Sequence, residues 1–81
     1  MNEPRIGMLA RSKAGHDKDN IYIIINADST YAYLADGKSR TLERLKKKKW
    51  RHVQLIKAEY EIMSMKNETI RHILKNGIRK R

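Results

Sequence analysis

The hydrophobic pattern of the first two thirds of the chain is that of short strands. In residues 5–12 the apolar side chains alternate between two faces, which predicts a first strand. These side chains are Ile6, Met8 and Ala10 on one face and Leu9 on the other. Residues 21–27 are almost continuously apolar and rich in β-branched residues, so we expect a central strand covered on both faces. Residues 31–35 predict a third strand.

Two further strands are predicted after the third. The pair Asp36-Gly37 between extended segments is typical of a two-residue hairpin, so we expect residues 38–42 to pair back as a fourth strand. Residues 51–56 predict a last strand. Its inward residues would be Val53 and Leu55. Five short strands separated by turns favour a mainly β fold, either a small barrel or a sandwich.

The last third of the chain has helical spacing instead. Its signals are Asn67 as N-cap, Ile70, Ile73 and Leu74 on one face, and Gly77 as a C′ stop. We therefore predict a short amphipathic helix over about residues 68–76. The chain would divide into a barrel at residues 1–56 and an extension at residues 57–81, which holds the helix and a basic tail. The apolar stripe of the helix would either cap an open end of the barrel or dock a protein partner.

The length and the absence of cysteine limit the protein further. Its 81 residues allow one domain with a small core, and no disulfide or thiolate zinc site can supplement that core. The longest apolar run, residues 21–25, is strand-sized and far too short to span a bilayer. The first residues lack the apolar stretch of a signal peptide, so we expect a cytoplasmic protein with no membrane partner. We also expect the protein to be monomeric.

Catalytic and metal chemistry find little support in the sequence. Ser12 and Ser39 have no evident base partner, and the acidic residues show no paired arrangement that would shift their pKa values. His16, His52 and His72 lack the i, i+4 spacing of a helical metal pair. We therefore do not expect an enzyme, and we expect no metal, cofactor or small-molecule substrate.

Charge is the strongest chemical signal. Nineteen Lys and Arg face nine Asp and Glu, for a formal net charge of +10. Residues 1–40 carry six basic and five acidic side chains, whereas residues 41–81 carry thirteen and four. Eight basic residues and a single acid, Glu43, fall between Lys38 and Arg51. Such a field attracts polyanions, whether RNA, DNA or an anionic membrane surface.

The loop after the first strand is a second candidate anion site. Residues 12–18 present two lysines, a histidine and Gly15, which tolerates a positive φ and lets another backbone approach closely. Backbone N–H groups beside lysines suit phosphate contacts. A polar hairpin loop without any ligand has a similar composition, so the residues alone leave both interpretations open.

The order of these features is similar to a known family. Residues 6–18 read Ile-Gly-Met-Leu-Ala-Arg-Ser-Lys-Ala-Gly-His-Asp-Lys and resemble the KOW motif, an RNA- and protein-binding element on SH3-like barrels. Residues 34–43 with their Ala-Asp-Gly turn, the four-lysine run, and Arg-His-Val-Gln at 51–54 look like a bacterial group of short KOW-domain RNA-binding proteins. That group is similar to KOW-type large-subunit ribosomal proteins of archaea and eukaryotes. The resemblance covers about residues 5–56.

The resemblance implies a small five-stranded SH3-like (KOW) barrel, to which the predicted C-terminal helix is added. It implies structured RNA, ribosomal RNA above all, as the partner of a ribosome-associated or ribosomal-protein-like factor. A DNA- or transcription-linked KOW protein and a protein-interaction module stay open as alternatives. From this resemblance and the charge pattern, the expected RNA-binding residues are Arg11, Ser12, Lys13, Gly15, His16, Lys18, Lys38, Arg40, Arg44, Lys46, Lys47, Lys48, Lys49, Arg51 and His52.

Asp19 stands where the family pattern usually has glycine, and because aspartate tolerates left-handed backbone better than most residues, we expect the turn to survive. The four-lysine run is expected to be exposed and mobile until it meets an anion, because its like charges repel one another.

The aromatic residues offer two roles. Exposed tyrosines on a sheet can stack on unpaired bases, although strand tyrosines more often pack partly against the core. The aromatic residues are Tyr22, Tyr31, Tyr33, Trp50 and Tyr60. Trp50 follows the lysine run and is expected to pack rather than to stack on a base.

Overall fold

The chain folds into one curled antiparallel sheet followed by a helix. The computed structural model describes residues 6–79, with the side chains of these residues except 57–59 and 76–79. The elements are β1 (Met8–Ser12), β2 (Ile21–Ala27), β3 (Tyr31–Ala35), β4 (Lys46–Lys49), a 3-10 turn (Trp50–His52), β5 (Val53–Glu59) and α1 (Asn67–Arg79). The strand order is β4-β3-β2-β1-β5, so the sheet is a half-barrel. The predicted mainly β class, a small SH3-like barrel with a C-terminal helix, is confirmed.

The core lies on both faces of β2, as its apolar run predicts. Tyr22 and Ile24 point to one face and Ile23 to the other, and all three are at most 3% exposed. The first face, here called the core face, is formed by Ala10, Tyr22, Ile24, Ala32, Leu34 and Val53. The second, here called the helix face, carries Leu9, Ile23 and Ala35 against Ile70 of α1. In the three central strands, β1, β2 and β3, side chains on both faces of the sheet are therefore buried.

Helix α1 covers part of the helix face. Ile70 is fully buried, and Ile73 and Leu74 pack half-buried beside it. The apolar stripe therefore caps the sheet, which is one of the two roles expected of it.

Gly37 lets the helix approach the chain after β3. Its φ is +79°, and a Cβ at this position would collide with the carbonyl oxygen of Asn67 and lie 2.8 Å from Cγ of Arg71. Since a side chain is excluded on both counts, glycine at this position sets how closely α1 packs.

The predicted fourth strand at residues 38–42 is wrong. The Asp36 carboxylate accepts hydrogen bonds from the backbone N–H groups of Lys38 and Arg40, at 2.8 Å each. The N–H groups of Asp36 and Gly37 in turn donate to the carbonyl oxygen of Arg40. These bonds hold the segment in a tight turn, so β3 pairs with the lysine run instead.

The lysine run is the edge strand β4, in contrast to the expected mobile segment. Lys46 and Lys48 are half-buried, whereas Lys47 and Lys49 are exposed. A lysine-rich edge also discourages pairing with the sheet of another molecule.

The boundaries of other elements also differ from those predicted. β1 begins at Met8 rather than at residue 5, which lies outside the described residues, as do residues 80 and 81 of the predicted basic tail. β5 runs over residues 53–59, and Leu55 is 39% exposed rather than inward. Helix α1 continues past Gly77, because glycine lowers helix stability by about 1 kcal/mol but does not by itself end a helix.

Asn67 does not cap α1 with its side chain. Its Oδ1 accepts the N–H of Leu42 at 2.8 Å, and its Nδ2 donates to Glu43 at 3.1 Å. The residue therefore ties the start of the helix to the chain that leads into β4.

Candidate nucleic-acid interface

One aspartate joins the β1–β2 loop to β4. The carboxylate of Asp17 accepts hydrogen bonds from Ser12 Oγ at 2.9 Å, Tyr22 OH at 3.0 Å and Lys48 Nζ at 3.1 Å. Lys46 Nζ lies 3.5 Å from Oδ2 of the same carboxylate, whereas Lys48 contacts Oδ1. The side chains of Asp17 and Lys48 are only 13% and 12% exposed. Opposite charges therefore offset the repulsion that alternate lysines of the run would otherwise feel.

This network keeps Asp17 ionised. Burial alone would raise the pKa of Asp17, but the hydrogen bonds from Ser12, Lys48 and Tyr22, together with the charge of Lys46, bring it well below its ordinary value of 3.8. The pKa of Tyr22 is raised, first by burial and also by its bond to Asp17. At neutral pH the carboxylate is an acceptor and the tyrosine hydroxyl a donor.

The free energy of unfolding should fall as the pH drops below about 4. Because the pKa of Asp17 is lower in the folded than in the unfolded chain, its ionised form stabilises the fold above pH 3.8, and this contribution is lost as the pH falls towards the folded value. Urea unfolding between pH 6 and pH 2 measures the loss. The Asp17→Asn variant should lose less stability over that range, and equal losses in the two proteins would contradict this role.

The backbone of the loop confirms the conformation expected for Asp19. Its φ is +75°, and Gly15 has a φ of +91°. The N–H of Asp19 donates to the carbonyl oxygen of Ser12, and that of Lys13 donates to His52 next to β5. The aspartate therefore occupies the left-handed position without glycine, and the loop is held at both ends.

An open groove runs between the loop, the turn at residues 36–40 and α1. One part of it lies beside Gly15 and β4, and the other lies along α1; they share Asn20, Asp36 and Ser39. The basic groove is defined here by its cationic and imidazole side chains, which are His16, Lys38, Arg40, Lys46, Lys48, Arg71, His72 and Lys75. Four separate parts of the chain, which are the β1–β2 loop, the turn, β4 and α1, thus supply basic groups to one surface.

Acidic side chains in the basic groove reduce its charge. Asp17 is paired with Lys46 and Lys48, so these two lysines already have a carboxylate partner. Asp36 binds the backbone of its own turn. Asp19 and Glu68 also line the groove. The groove cations that are not paired to Asp17 are therefore the first candidates for contact with a phosphate.

The groove cations that are not paired to Asp17 come from two elements. Lys38 and Arg40 belong to the turn, and Arg71 and Lys75 lie one turn apart on the helix. Arg71 also donates to the carbonyl oxygen of Gly37 at 2.5 Å. The helix is thereby held across from the turn, with basic groups on both sides of the groove.

The expected RNA-binding residues are only partly brought together. Those that line the basic groove are Gly15, His16, Lys38, Arg40, Lys46 and Lys48. Those that are exposed but do not line it are Arg11, Lys13, Lys18, Arg44, Lys47, Lys49 and Arg51. His52 is half-buried. Ser12 is 1% exposed and its hydroxyl donates within the loop, so its side chain supports the loop rather than facing solvent.

Sequence reasoning did not identify Asp17 as the anchor of the loop or His72 as part of the groove. Arg71 and Lys75 lie four residues apart, so helical spacing alone places them on one face, but it does not indicate the turn opposite them. The one available signal was Gly37, because glycine after Asp36 is also typical of a close approach by another backbone.

Among the side chains that the structure describes within residues 6–79, no three His, Asp or Glu are grouped so that they could hold a metal ion. Within the same residues, no helix is long and apolar enough to cross a membrane. No model of a known protein family and no curated protein matches this chain.

Proposed function

We propose that this protein binds structured RNA through the basic groove, with ribosomal RNA as the class of target implied by its sequence resemblance. The observation that carries the proposal is the meeting of the KOW-like loop, the basic turn and α1 along one groove. In this role it is a cytoplasmic, ribosome-associated factor that needs neither cofactor nor catalytic residue. Phosphate contacts position the RNA.

The number of available cations sets the expected salt dependence. With Lys46 and Lys48 paired to Asp17, four cations remain in the groove: Lys38, Arg40, Arg71 and Lys75. Four phosphate contacts correspond to a slope of roughly −3 to −4 in log K against log salt, which is about 100-fold in affinity between 50 and 200 mM. A slope near zero would contradict electrostatic binding.

The packing of α1 favours RNA over duplex DNA. A helix that reads DNA enters the major groove, which needs an exposed face along most of its length. Here Ile70 is buried against the sheet, and Arg71 donates a hydrogen bond to Gly37 in the turn at residues 36–40. Helix α1 is therefore better suited to contact a phosphate backbone beside it than to enter the major groove of duplex DNA.

A folded ribosomal RNA fragment should compete at least about tenfold better than duplex DNA of equal phosphate content. In the assay, each competitor displaces a labelled RNA hairpin from the protein at 0.1 M salt. Fluorescence anisotropy of the hairpin measures the displacement. The reason is that the groove is lined by a turn and a capped helix rather than by a free recognition helix. A preference for the DNA would favour the transcription-linked alternative and contradict this proposal.

The ribosomal part of the proposal has its own test. The protein should sediment with large ribosomal subunits at moderate salt, and ribonuclease treatment should release it. Retention after complete RNA digestion would favour the protein-interaction alternative and contradict RNA as the ligand.

A further inference from the structure

Two tyrosines and two lysines lie side by side on the helix face of β3 and β4. The register places Tyr31 opposite Lys49 and Tyr33 opposite Lys47. Opposed residues in antiparallel strands have their side chains on the same face. Both lysines are exposed and both tyrosines are half-buried. These four residues are called the tyrosine–lysine strip.

The core does not account for the two tyrosines of the strip. Tyr22 is 3% exposed and belongs to the buried cluster of the core face. Among the described residues, Tyr31 and Tyr33 belong to neither buried cluster and are not among the side chains that pack on them. Packing in the core thus explains Tyr22 and also Trp50, which contacts the core face, but it does not explain Tyr31 and Tyr33.

The ring of Tyr31 already attracts a cation. Lys47 Nζ lies 4.5 Å from its centroid. An exposed cation–π contact is weaker than the stacking of a nucleic-acid base on an aromatic ring. A base can therefore displace the ammonium group from the ring, and a flexible lysine side chain is long enough to turn to a nearby phosphate.

The ring of Tyr33 is fixed in place by its hydroxyl group. The hydroxyl donates to Asp28 Oδ2 at 2.9 Å, while Oδ1 of Asp28 accepts the N–H groups of Thr30 and Tyr31. The turn before β3 thus holds Tyr33 from its polar end. The two ring positions are about 7 Å apart along the strand, which leaves room for one base on each.

We propose that the tyrosine–lysine strip binds unpaired RNA nucleotides, whose bases stack on Tyr31 and Tyr33 while Lys47 and Lys49 contact phosphates. This inference rests on the proposed RNA-binding function and deepens it. The alternation of β4 sends Lys46 and Lys48 to Asp17 and Lys47 and Lys49 to the strip. The groove contacts the backbone of folded RNA, and the strip holds a neighbouring loop or bulge, where bases are free to stack.

The Tyr31→Leu variant of the full chain tests the inference. Its ligands are a labelled single-stranded uridine 12-mer and a blunt 12-base-pair RNA duplex, both at 0.1 M salt and measured by fluorescence anisotropy. The variant should bind the 12-mer about 5- to 30-fold more weakly, because one stacking partner is lost. Its affinity for the duplex should change by less than about twofold, because paired bases do not expose their faces.

The Tyr31→Phe variant is the matched control, since it keeps the ring and removes only the hydroxyl. It should bind the 12-mer within about twofold of the unaltered protein. Far-UV circular dichroism verifies that each variant is folded. Unchanged 12-mer binding by Tyr31→Leu, equal losses on both ligands, or an equal loss in Tyr31→Phe would overturn the stacking role while leaving groove binding intact. Failure of the unaltered protein to bind the duplex or a folded RNA would instead contradict the proposed function.

Discussion

Replacing Asp17 by asparagine should lower the free energy of unfolding by about 2–3 kcal/mol. The substitution keeps the shape of the side chain but removes the negative charge that Lys48 and Lys46 share. Removing one member of a buried ion pair typically costs about 3–5 kcal/mol, and the 13% exposure of Asp17 places the expected loss somewhat below that range. The midpoint of thermal unfolding should fall by roughly 10–20 °C for a chain of this size, as followed by circular dichroism.

The Asp19→Asn variant is the control for this experiment. It makes the same charge change two residues away, and asparagine tolerates the φ of +75° at that position. Its ion pair with Arg11 is long, at 3.9 Å, and both side chains are well exposed. The loss should be less than about 0.5 kcal/mol. Similar losses in the two variants would show that the loop responds to net charge and not to the Asp17 network.

Because they are paired to Asp17, Lys46 and Lys48 are less available for contact with RNA than the other cations of the groove. A phosphate that approached Lys46 or Lys48 would have to compete with a carboxylate already 3.1–3.5 Å away. These two lysines therefore act first on the fold, since they hold β4 to the β1–β2 loop. The charge density that the sequence displays between residues 38 and 51 overstates the number of cations open to a ligand.

The central strands could be predicted because their signals are local. In β2 and β3 the predicted bounds, residues 21–27 and 31–35, are those observed. Each run is apolar or aromatic and ends at residues that favour turns, so no distant partner is needed to define it. The course of the chain after β3 depends on distant contacts instead. Asn67 accepts the N–H of Leu42 from 25 residues away, which no local pattern can indicate.

The sequence predicts the charge of the candidate site but not which of its lysines face a ligand. The net charge and its concentration in the second half of the chain follow from counting residues. Which lysines face a ligand depends on the register of β4, where Leu34 pairs with Lys46, and on the single carboxylate that meets alternate lysines. Sequence spacing places the lysines together, but only the pleat separates them into two faces.

Replacing Lys38, Arg40 and Lys75 together by glutamine should weaken the binding of folded RNA about 100-fold at 0.15 M salt. Each lost phosphate contact removes roughly 0.7–0.9 from the slope of log K against log salt, which is about fivefold in affinity at this concentration. The slope itself should become shallower by about 2–3. Arg71 is left unaltered because its bond to Gly37 helps to dock α1. Anisotropy titrations at several salt concentrations measure both quantities.

A comparison of single substitutions separates the groove from net charge. Lys75→Gln should weaken binding about fivefold, whereas Lys66→Gln should weaken it by less than about twofold. The two changes remove the same charge, but Lys75 lines the basic groove and the exposed Lys66, which precedes α1, does not. If both lysines mattered equally, RNA would be bound by the diffuse field of a basic protein. A fivefold effect confined to Lys75 would instead place the phosphate backbone between α1 and the turn that Gly37 brings against it.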